Sequence, residues 1–281
     1  MQFGFIIPGG DLHTLIELAS EAEEAGWDGV FYWDGICIEG VGPMYDPWVV
    51  LAAMAMRTKR VRIGAVLTPV SRRRPWKLAR ETVSLDLLSH GRLILPVGLG
   101  ALEDGGFAKV GEETDRKIRA QLLDEGLEIL TGLWSGQPFS FHGKHYHMEE
   151  MTFLPPPVQS PRIPIWVVGV WPRTKSMQRV LRYDGLLPAK INADGSPGEV
   201  TPADILAMKA YIAEHRNQTT PFDIVWEGET PGDNHEQAVS IVRPWAEAGA
   251  TWWMESRWGY PMTVRLDEVR TRIRQGPPRI E

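Results

Sequence analysis

The sequence predicts an α/β protein that forms a single (β/α)8 barrel over residues 1–281. Short apolar segments alternate with longer amphipathic segments along the chain, and eight such strand–helix pairs can be distinguished. Most connections are short, and the chain carries no G-x-G-x-x-G motif of the dinucleotide-binding type. An open doubly wound sheet is the alternative fold, but eight repeats without that motif favour a closed barrel.

The predicted strands are mainly apolar segments bounded by turn residues, at 2–7, 28–33, 61–67, 93–97, 163–168, 184–187, 222–226 and 251–254. The predicted helices lie between and after them, at 12–25, 47–57, 75–88, 116–134, 174–182, 202–215, 236–248 and 264–274. Leucine and alanine recur at helical spacing in the first helix, which Gly26 ends, and Pro47 stands at a favourable first position of the second. A glycine-rich loop at 98–115 leads into the fourth and strongest helix.

Two segments interrupt the alternation. Residues 139–148 have a central His-Gly sequence and predict a hairpin between the fourth helix and the fifth strand. Residues 189–201 form a polar, Gly/Pro-containing loop after the sixth strand, which is interpreted either as a lid over the C-terminal face or as a surface loop.

The composition is that of a globular protein with a large core, since 43% of residues are hydrophobic and 23% are charged. The chain has 30 Lys plus Arg against 36 Asp plus Glu, a net charge of −6, which argues against nucleic acid as a partner. The single cysteine, Cys37, excludes an internal disulfide and a cysteine metal cage. No secretory signal or membrane-spanning apolar run is visible, so we expect a cytoplasmic protein without membrane contact.

Chemistry in such a barrel gathers where the strands end. Three acidic residues lie at predicted strand ends and are the candidate catalytic residues: Asp34, Glu227 and Glu255. Carboxylates at these points can orient a ligand or carry protons; alternatively they cap loops or pair with nearby arginines. Asp34, directly after an apolar strand, is the strongest candidate.

The chain has 12 Trp residues against 8 Phe and 6 Tyr. Tryptophan is large and flat and is enriched where ligands bind. Four of them lie at strand–helix junctions: Trp33, Trp171, Trp226 and Trp258. The first three are candidates for the wall of a substrate pocket. Trp166 and Trp252 lie within strands, where they either fill the core or face the helices.

The junction after the fifth strand suits a phosphate group. Gly169 allows close backbone approach, and Pro172 can occupy a first helical turn. Arg173, Thr174 and Lys175 stand at the start of a helix with free N–H groups. An ordinary capped helix is the alternative. The basic run at 72–74 is either a solvated loop or a clamp for the tail of a polyanionic cofactor.

His142, His145 and His147 raise the hypothesis of a zinc or iron site and hence of a metal-dependent hydrolase barrel. They lie in the predicted hairpin, and the first strand lacks the H-x-H sequence of amidohydrolase barrels. We therefore predict no metal site.

Several segments together resemble the luciferase-like monooxygenase family. They are AGWDGVFYWD (25–34), IGAVLTPVSRRRPWKLARETVSLDLLSHGRLILPVGLG (63–100), FAKVGEETD (107–115), LDEGLEILTGLWSG (123–136), PRIPIWVVG (161–169) and AGATWWMES (248–256). The resemblance covers nearly the whole chain, and SLDLLSHGRL…VGLG is its most specific part. It implies a flavin-binding barrel that uses FMN or the deazaflavin coenzyme F-420 and acts on small organic molecules.

The resemblance also implies cofactor-binding positions. The end of the third strand, Ala65, Val66 and Leu67, matches the place where relatives hold a non-prolyl cis peptide, at one of its two bonds, against the flavin ring, and Thr68 follows as a further cofactor-binding candidate. Gly98 and Gly100 belong to the most specific matching segment, and Gly169, Arg173 and Thr174 are implied to hold the phosphate. Thr174 matches a hydroxyl residue that contacts the flavin phosphate in bacterial luciferase.

The sequence departs from the family at three positions. Gly35 stands where relatives commonly carry a catalytic His, Leu99 where bacterial luciferase has a phosphate-binding Arg, and Ala101 where F-420-dependent sugar-phosphate dehydrogenases have an acidic Glu. No specific activity of these relatives is therefore transferred. The small Gly35 is expected to leave room for a larger substrate or another ring pose.

The function predicted first is a flavin-dependent oxidoreductase or monooxygenase with FMN, and coenzyme F-420 is the alternative cofactor. A small organic substrate, a flavin or deazaflavin reductase and a homodimer formed by apolar helices such as residues 49–56 are the expected partners. A flavin-binding protein without turnover is the alternative function, because the usual His is Gly35.

Overall fold

The computed structural model describes residues 1–258 and 265–280. The strands in this part of the chain are β1 Gln2–Ile6, β2 Gly29–Tyr32, β3 Arg62–Ala65, β4 Thr68–Pro69, β5 Leu95–Gly98, β6 Pro138–His142, β7 His147–Thr152, β8 Ile165–Trp171, β9 Gly185–Ile191, β10 Pro197–Gly198, β11 Asp223–Gly228 and β12 Trp252–Glu255. The α-helices are α1 Leu12–Glu24, α2 Pro47–Arg57, α3 Pro75–Leu88, α4 Arg116–Trp134, α5 Thr174–Val180, α6 Pro202–His215, α7 His235–Ala248 and α8 Leu266–Arg274. Residue 264, where the last predicted helix begins, lies outside the described residues.

The main sheet is a parallel barrel. Its strands follow the order β3-β2-β1-β12-β11-β9-β8-β5-β4, and every neighbouring pair on this path is parallel. A parallel bridge between Ile63 of β3 and Leu93, just before β5, joins the two ends of the path. The predicted (β/α)8 barrel is therefore confirmed.

The third strand differs from the continuous segment predicted at 61–67. It is divided into β3 and β4, and the two residues between them are joined by a non-prolyl cis peptide, Val66–Leu67. β4 then pairs with β5 rather than with β2. The chain thus bulges at the C-terminal end of the third strand.

Local capping explains where several helices begin. The Asp11 carboxylate accepts hydrogen bonds from the first backbone N–H groups of α1, and Asp46 does the same at α2, where Pro47 occupies the first turn. Thr201 and Asp204 form a reciprocal capping box at α6. These caps fix the point at which the chain leaves each strand end and enters the helix layer.

Aromatic side chains fill the N-terminal half of the barrel. The rings of Phe31 and Trp166 lie 5.8 Å apart, and Trp166 lies 5.3 Å from Trp252, all three being fully buried. Gly185 makes room for this packing, because a Cβ there would lie 2.3 Å from the Trp166 ring. Trp166 and Trp252 are therefore core residues of the barrel interior.

The two interruptions of the alternation are both paired structures. β6 and β7 form an antiparallel hairpin over 138–152, wider than the predicted 139–148. The segment 189–201 begins as the last residues of β9 and returns as β10, which pairs antiparallel with β9. None of its residues lines the cavity described below, which favours the surface-loop interpretation over the lid.

Candidate active site

A cavity of about 1590 Å³ opens at the C-terminal end of the barrel. Its wall comes from the ends of β2, β5, β8 and β11, the bulge between β3 and β4, and the first turns of α4 and α5. Of the residues predicted for the site, the following line it: Trp33, Asp34, Val66, Leu67, Gly98, Gly100, Arg173, Thr174 and Glu227. This is the part of a barrel where ligands are expected.

The bulge of the third strand forms part of the floor. Val66 and Leu67, on either side of the cis bond, both line the cavity, as the family resemblance implies. Gly98 lies beside them, and a Cβ at this position would come within 2.9 Å of the Leu67 side chain and 3.0 Å of Val168. The absence of a side chain at Gly98 therefore lets the Leu67 and Val168 side chains pack close to the β5 backbone, while Ala65 and Thr68 are buried outside the lining.

Asp34 is engaged in ion pairs. Its carboxylate accepts from Arg72 Nη2 at 2.9 Å and from Arg73 Nη2 at 2.6 Å, and Arg72 also donates to Asp104. The side chains of Asp34 and Arg72 are 0% and 3% exposed. Arg72 and Arg73 are thus neither fully solvated nor free to clamp a tail, whereas Arg74 is exposed, and Asp34 fits the alternative of pairing with nearby arginines.

Asp104 joins the loop after β2 to the loop after β5. Its carboxylate accepts from the backbone N–H groups of Cys37 and Gly106, both at 2.9 Å, and from that of Ile36 at 3.1 Å. Burial alone would raise the pKa of Asp104, but the hydrogen bond from Arg72 and those backbone N–H groups hold this pKa at about 2. The rim of the cavity is therefore fixed by charge-assisted hydrogen bonds.

Glu227 stands at the end of β11 with its carboxylate facing the cavity. The Trp258 indole N–H donates a hydrogen bond to Glu227 Oε1. Surrounding protein raises the pKa of Glu227, although the hydrogen bonds from Trp258 and Ser256 oppose this. No lysine or arginine of residues 1–258 or 265–280 pairs with it. Among the three predicted catalytic carboxylates, it alone lines the cavity without a cationic partner.

Glu255 is fully buried and does not line the cavity. It accepts from the Thr230 hydroxyl at 2.7 Å, the Trp253 indole at 3.1 Å and Arg272 Nε at 3.2 Å. Met254, the preceding residue, packs in the barrel interior, and successive strand residues face opposite sides. Glu255 therefore faces the helix layer, where it holds α8 to the barrel.

The same alternation separates the predicted tryptophans. Glu227 faces the cavity, so Trp226 faces outwards and stacks on Trp245 of α7 at 3.9 Å. Val168 and Val170 line the cavity, so Gly169 and Trp171 face the helices, and Trp171 contacts Tyr211 of α6.

Trp171 and Trp226 therefore do not wall the cavity, which corrects the prediction for both. Trp33 does line it and donates from its indole N–H to the Pro8 carbonyl oxygen at 2.9 Å. Pro172 also differs from expectation, because it follows a cis Trp171–Pro172 bond and precedes the helix.

Gly35 does not enlarge the cavity, contrary to expectation. A Cβ at this position would lie 2.6 Å from the Trp33 ring and 3.2 Å from the sulfur of Met44. The missing side chain makes room for the Trp33 indole, so the space is filled by the protein itself. Leu99 and Ala101, the other two departures, both line the cavity and make this part of its wall apolar.

Cationic side chains that the sequence interpretation missed line the cavity beside α4 and α5. They are Arg116, Lys117, Arg179 and Arg182, and they add to the predicted Arg173 and Lys175. Arg179 and Arg182 pair with Asp124. The other four have no carboxylate partner among the described residues. Lys and Arg in the first turn of a helix oppose the helix dipole, and this signal could have pointed to Arg116 and Lys117.

The histidine hypothesis gains no support from the structure. His142 and His147 face each other across the hairpin, and His145 Nε2 lies 2.9 Å from Gln121 Oε1. In the part of the chain that the structure describes, no three His, Cys, Asp or Glu side chains are grouped so that they could hold a metal ion. A search of the same residues finds no helix long and apolar enough to cross a membrane.

Comparisons with known proteins agree with the fold. The F420-dependent glucose-6-phosphate dehydrogenase of Amycolatopsis mediterranei (strain U-32) is 32% identical over 238 residues, 83% of this chain and 69% of that protein. The protein of the same name from Microbacterium testaceum (strain StLB037) is 33% identical over 248 residues, 85% and 70% of the two chains.

Two solved structures share the fold at low identity. The monooxygenase RslO1 from Streptomyces bottropensis has a TM-score of 0.71 at 20% identity and covers 98% of this chain and 97% of its own. The coenzyme F420 dependent tetrahydromethanopterin reductase from Methanopyrus kandleri has a TM-score of 0.72 at 15% identity, with 98% and 96% covered. The family model described as luciferase-like monooxygenase matches residues 1–273. This chain belongs to the luciferase-like monooxygenase family of oxidoreductases.

Proposed function

We propose that this protein is an oxidoreductase that binds the deazaflavin coenzyme F-420 in the cavity and transfers a hydride between it and a small organic substrate. FMN, which the sequence interpretation placed first, becomes the second candidate. The relatives named as F420-dependent support this order.

The observation that carries the proposal is the uncompensated positive charge at one side of the cavity. Arg116, Lys117, Arg173 and Lys175 line it without carboxylate partners among the described residues, although the chain as a whole carries a charge of −6. F-420 carries an extended anionic tail beyond its phosphate, whereas FMN ends at a single phosphate. Four cations spread over two helices suit the longer anion better.

The shape of the cavity suits the ring system. The Val66–Leu67 bulge and the backbone of Gly98, which both line the cavity, would lie against a flat ring, and Thr174 and Arg173 would hold the phosphate. When bound, the deazaflavin supplies two-electron hydride chemistry. The protein orients the ring against the bulge, neutralises the tail and encloses the reacting end in an apolar, water-poor wall.

Titration of the purified protein with F-420 and with FMN, followed by cofactor fluorescence, tests this proposal. We expect F-420 to bind more tightly, with an affinity that falls as salt rises. The double variant Arg116→Gln/Lys117→Gln should weaken F-420 by roughly 10-fold or more, since hydrogen bonds to charged groups contribute about 1.5–3 kcal/mol. Thr174→Ala should weaken either cofactor, because both carry the phosphate.

The control is Lys59→Gln/Arg60→Gln, which removes the same charge from an exposed turn before β3, at the opposite end of the barrel. Its F-420 affinity should stay within about twofold. Tight FMN binding without F-420 binding would instead support the FMN-dependent monooxygenase predicted first. A bound cofactor without turnover on any substrate would support the binding-protein alternative.

A further inference from the structure

The order of the strands separates the cavity mouth into two sides. β5 and β8 are neighbours in the barrel, and the four unpartnered cations lie on or just before α4 and α5, the helices that follow these strands. These cations therefore lie together on one side of the mouth, which we call the cationic side. β2 and β11 are separated from each other only by β1 and β12. The residues at or just after the ends of β2, β11 and β12 define the aromatic side, and they include Trp33, Glu227 and Trp258.

Cations near the aromatic side are already engaged. Arg72 and Arg73 are bound to Asp34, and Lys190 at the end of β9 pairs with Asp204 at 2.8 Å. Arg257 donates to the Thr230 carbonyl oxygen at 2.8 Å and does not line the cavity. Within the described residues, this side therefore offers no free cation for a phosphate or carboxylate of a substrate.

The polar group that the aromatic side does offer is the Glu227 carboxylate. The other acidic residues of the cavity wall have partners: Asp34 and Asp124 are bound by arginines, Asp104 by Arg72, and Asp115 caps α4. Glu227 accepts hydrogen bonds from the Trp258 indole N–H and the Ser256 hydroxyl, which are both neutral donors. Its carboxylate thus lines the cavity without a cationic partner among the described residues, and the Trp258 ring packs against the Trp33 ring at 6.1 Å and 81°.

The ionisation of Glu227 is set by few groups. Among the described residues, the groups that bear on it are the Trp258 indole and the Ser256 hydroxyl, and no charged side chain contributes. Burial within the protein raises the pKa of Glu227 and so brings it closer to neutral pH than the pKa of an ordinary glutamate. A carboxyl whose pKa lies nearer the working pH is better suited to exchange a proton with a substrate.

We propose that the aromatic side binds an uncharged alcohol or carbonyl substrate and that Glu227 is the catalytic residue that exchanges a proton with its oxygen. The proposal rests on the proposed function, which supplies the deazaflavin as hydride acceptor. In alcohol oxidation the O–H bond breaks and its proton goes to the Glu227 carboxylate. The C–H bond electrons leave as a hydride to the deazaflavin, and the C=O bond forms. Carbonyl reduction runs through the same changes in reverse.

The first measurement needs no cofactor. The intrinsic fluorescence of the protein is titrated with pH, because protonation of Glu227 changes the hydrogen bond to the Trp258 indole. Wild type should show a transition with a midpoint above 4.5, the ordinary pKa of Glu, and Glu227→Gln and Trp258→Phe should each lack it. A transition that persists in Glu227→Gln would overturn the assignment of this carboxyl.

The second measurement is turnover of cyclohexanol, 2-propanol and glucose 6-phosphate with F-420, and of cyclohexanone with reduced F-420. We expect turnover of at least one uncharged probe and none of the sugar phosphate. Glu227→Gln should lower kcat by about 100-fold or more, as for loss of a general acid–base group, while the Kd for F-420 changes less than about twofold. Glu229→Gln, an exposed glutamate just after the end of β11 that does not line the cavity, is the matched control and should behave as wild type.

The outcomes separate the two proposals. Absence of F-420 binding refutes the proposed function, and the fluorescence titration still decides whether Glu227 ionises as described. If F-420 binds, turnover of glucose 6-phosphate alone, or of none of the probes, overturns the assigned substrate class. A Glu227→Gln enzyme that keeps kcat within about threefold of wild type overturns the proton-exchange role.

Discussion

Asp104→Asn should destabilise the protein in a pH-dependent way. The carboxylate is 3% exposed and its pKa is held at about 2, against an ordinary value of 3.8. At roughly 1.4 kcal/mol per pKa unit, ionised Asp104 contributes about 2 kcal/mol to the free energy of unfolding at pH 7. Because its pKa is lower in the folded than in the unfolded chain, this contribution is present above pH about 4 and is lost as the pH falls towards 2.

The assay is urea unfolding followed by circular dichroism at pH 7 and at pH 3. We expect Asp104→Asn to lower the free energy of unfolding by about 2 kcal/mol at pH 7 and by about half of that at pH 3. Glu39→Gln, an exposed residue of the loop that Asp104 anchors, should change it by less than about 0.5 kcal/mol at either pH. An equal loss at both pH values would show that the charge of Asp104 is not what fixes the cavity rim.

Three further substitutions test other assignments. Gly35→Ala should cost about 1–3 kcal/mol in urea unfolding and shift the Trp33 fluorescence, because the new Cβ would overlap the ring; an unchanged protein would show that the close approach is not a constraint. Glu255→Ala should cost about 3–5 kcal/mol because it leaves Arg272 buried without its partner, and a soluble variant that loses kcat but not stability would restore the catalytic assignment of Glu255. Trp226→Phe should leave F-420 affinity within about twofold, since this ring stacks outside the cavity; a large loss by fluorescence titration would place it back in the wall.

The overall fold was predictable because its signals are local. Each strand–helix pair is specified by apolar periodicity and by caps such as Asp46 with Pro47, and eight repeats of one unit leave few topologies open. The divided third strand was not predictable from periodicity, because its residues are apolar on both sides of the bulge. Only the family resemblance pointed to residues 65–67, and the structure then assigns the cis bond to Val66–Leu67.

The site was predicted in part, and the errors have one physical cause. Residues that follow one another in a strand face opposite sides, so Trp226 and Glu227 could not both line the cavity. The same rule, applied along the fifth predicted strand, would also have excluded Trp171 from the cavity wall. The partners of Asp34 were out of reach for another reason, because Arg72 and Asp104 come from distant loops that only the closed barrel brings together.

The unpartnered cations have a local cost that a ligand would remove. Arg116 and Lys117 occupy the first turn of α4, which holds no acidic residue, so two positive charges lie at the positive end of a helix dipole. Such an arrangement costs a few tenths of a kcal/mol per charge, and local conflicts of this kind are expected at functional sites. An anionic tail bound there would be attracted both by the two positive charges and by the N-terminal end of the helix. The proposed substrate would, by contrast, meet a side of the cavity whose cations are already bound to carboxylates. If both proposals hold, the two sides of one cavity would distinguish the charged cofactor from the uncharged reactant, and this separation would hold each molecule in the orientation that hydride transfer requires.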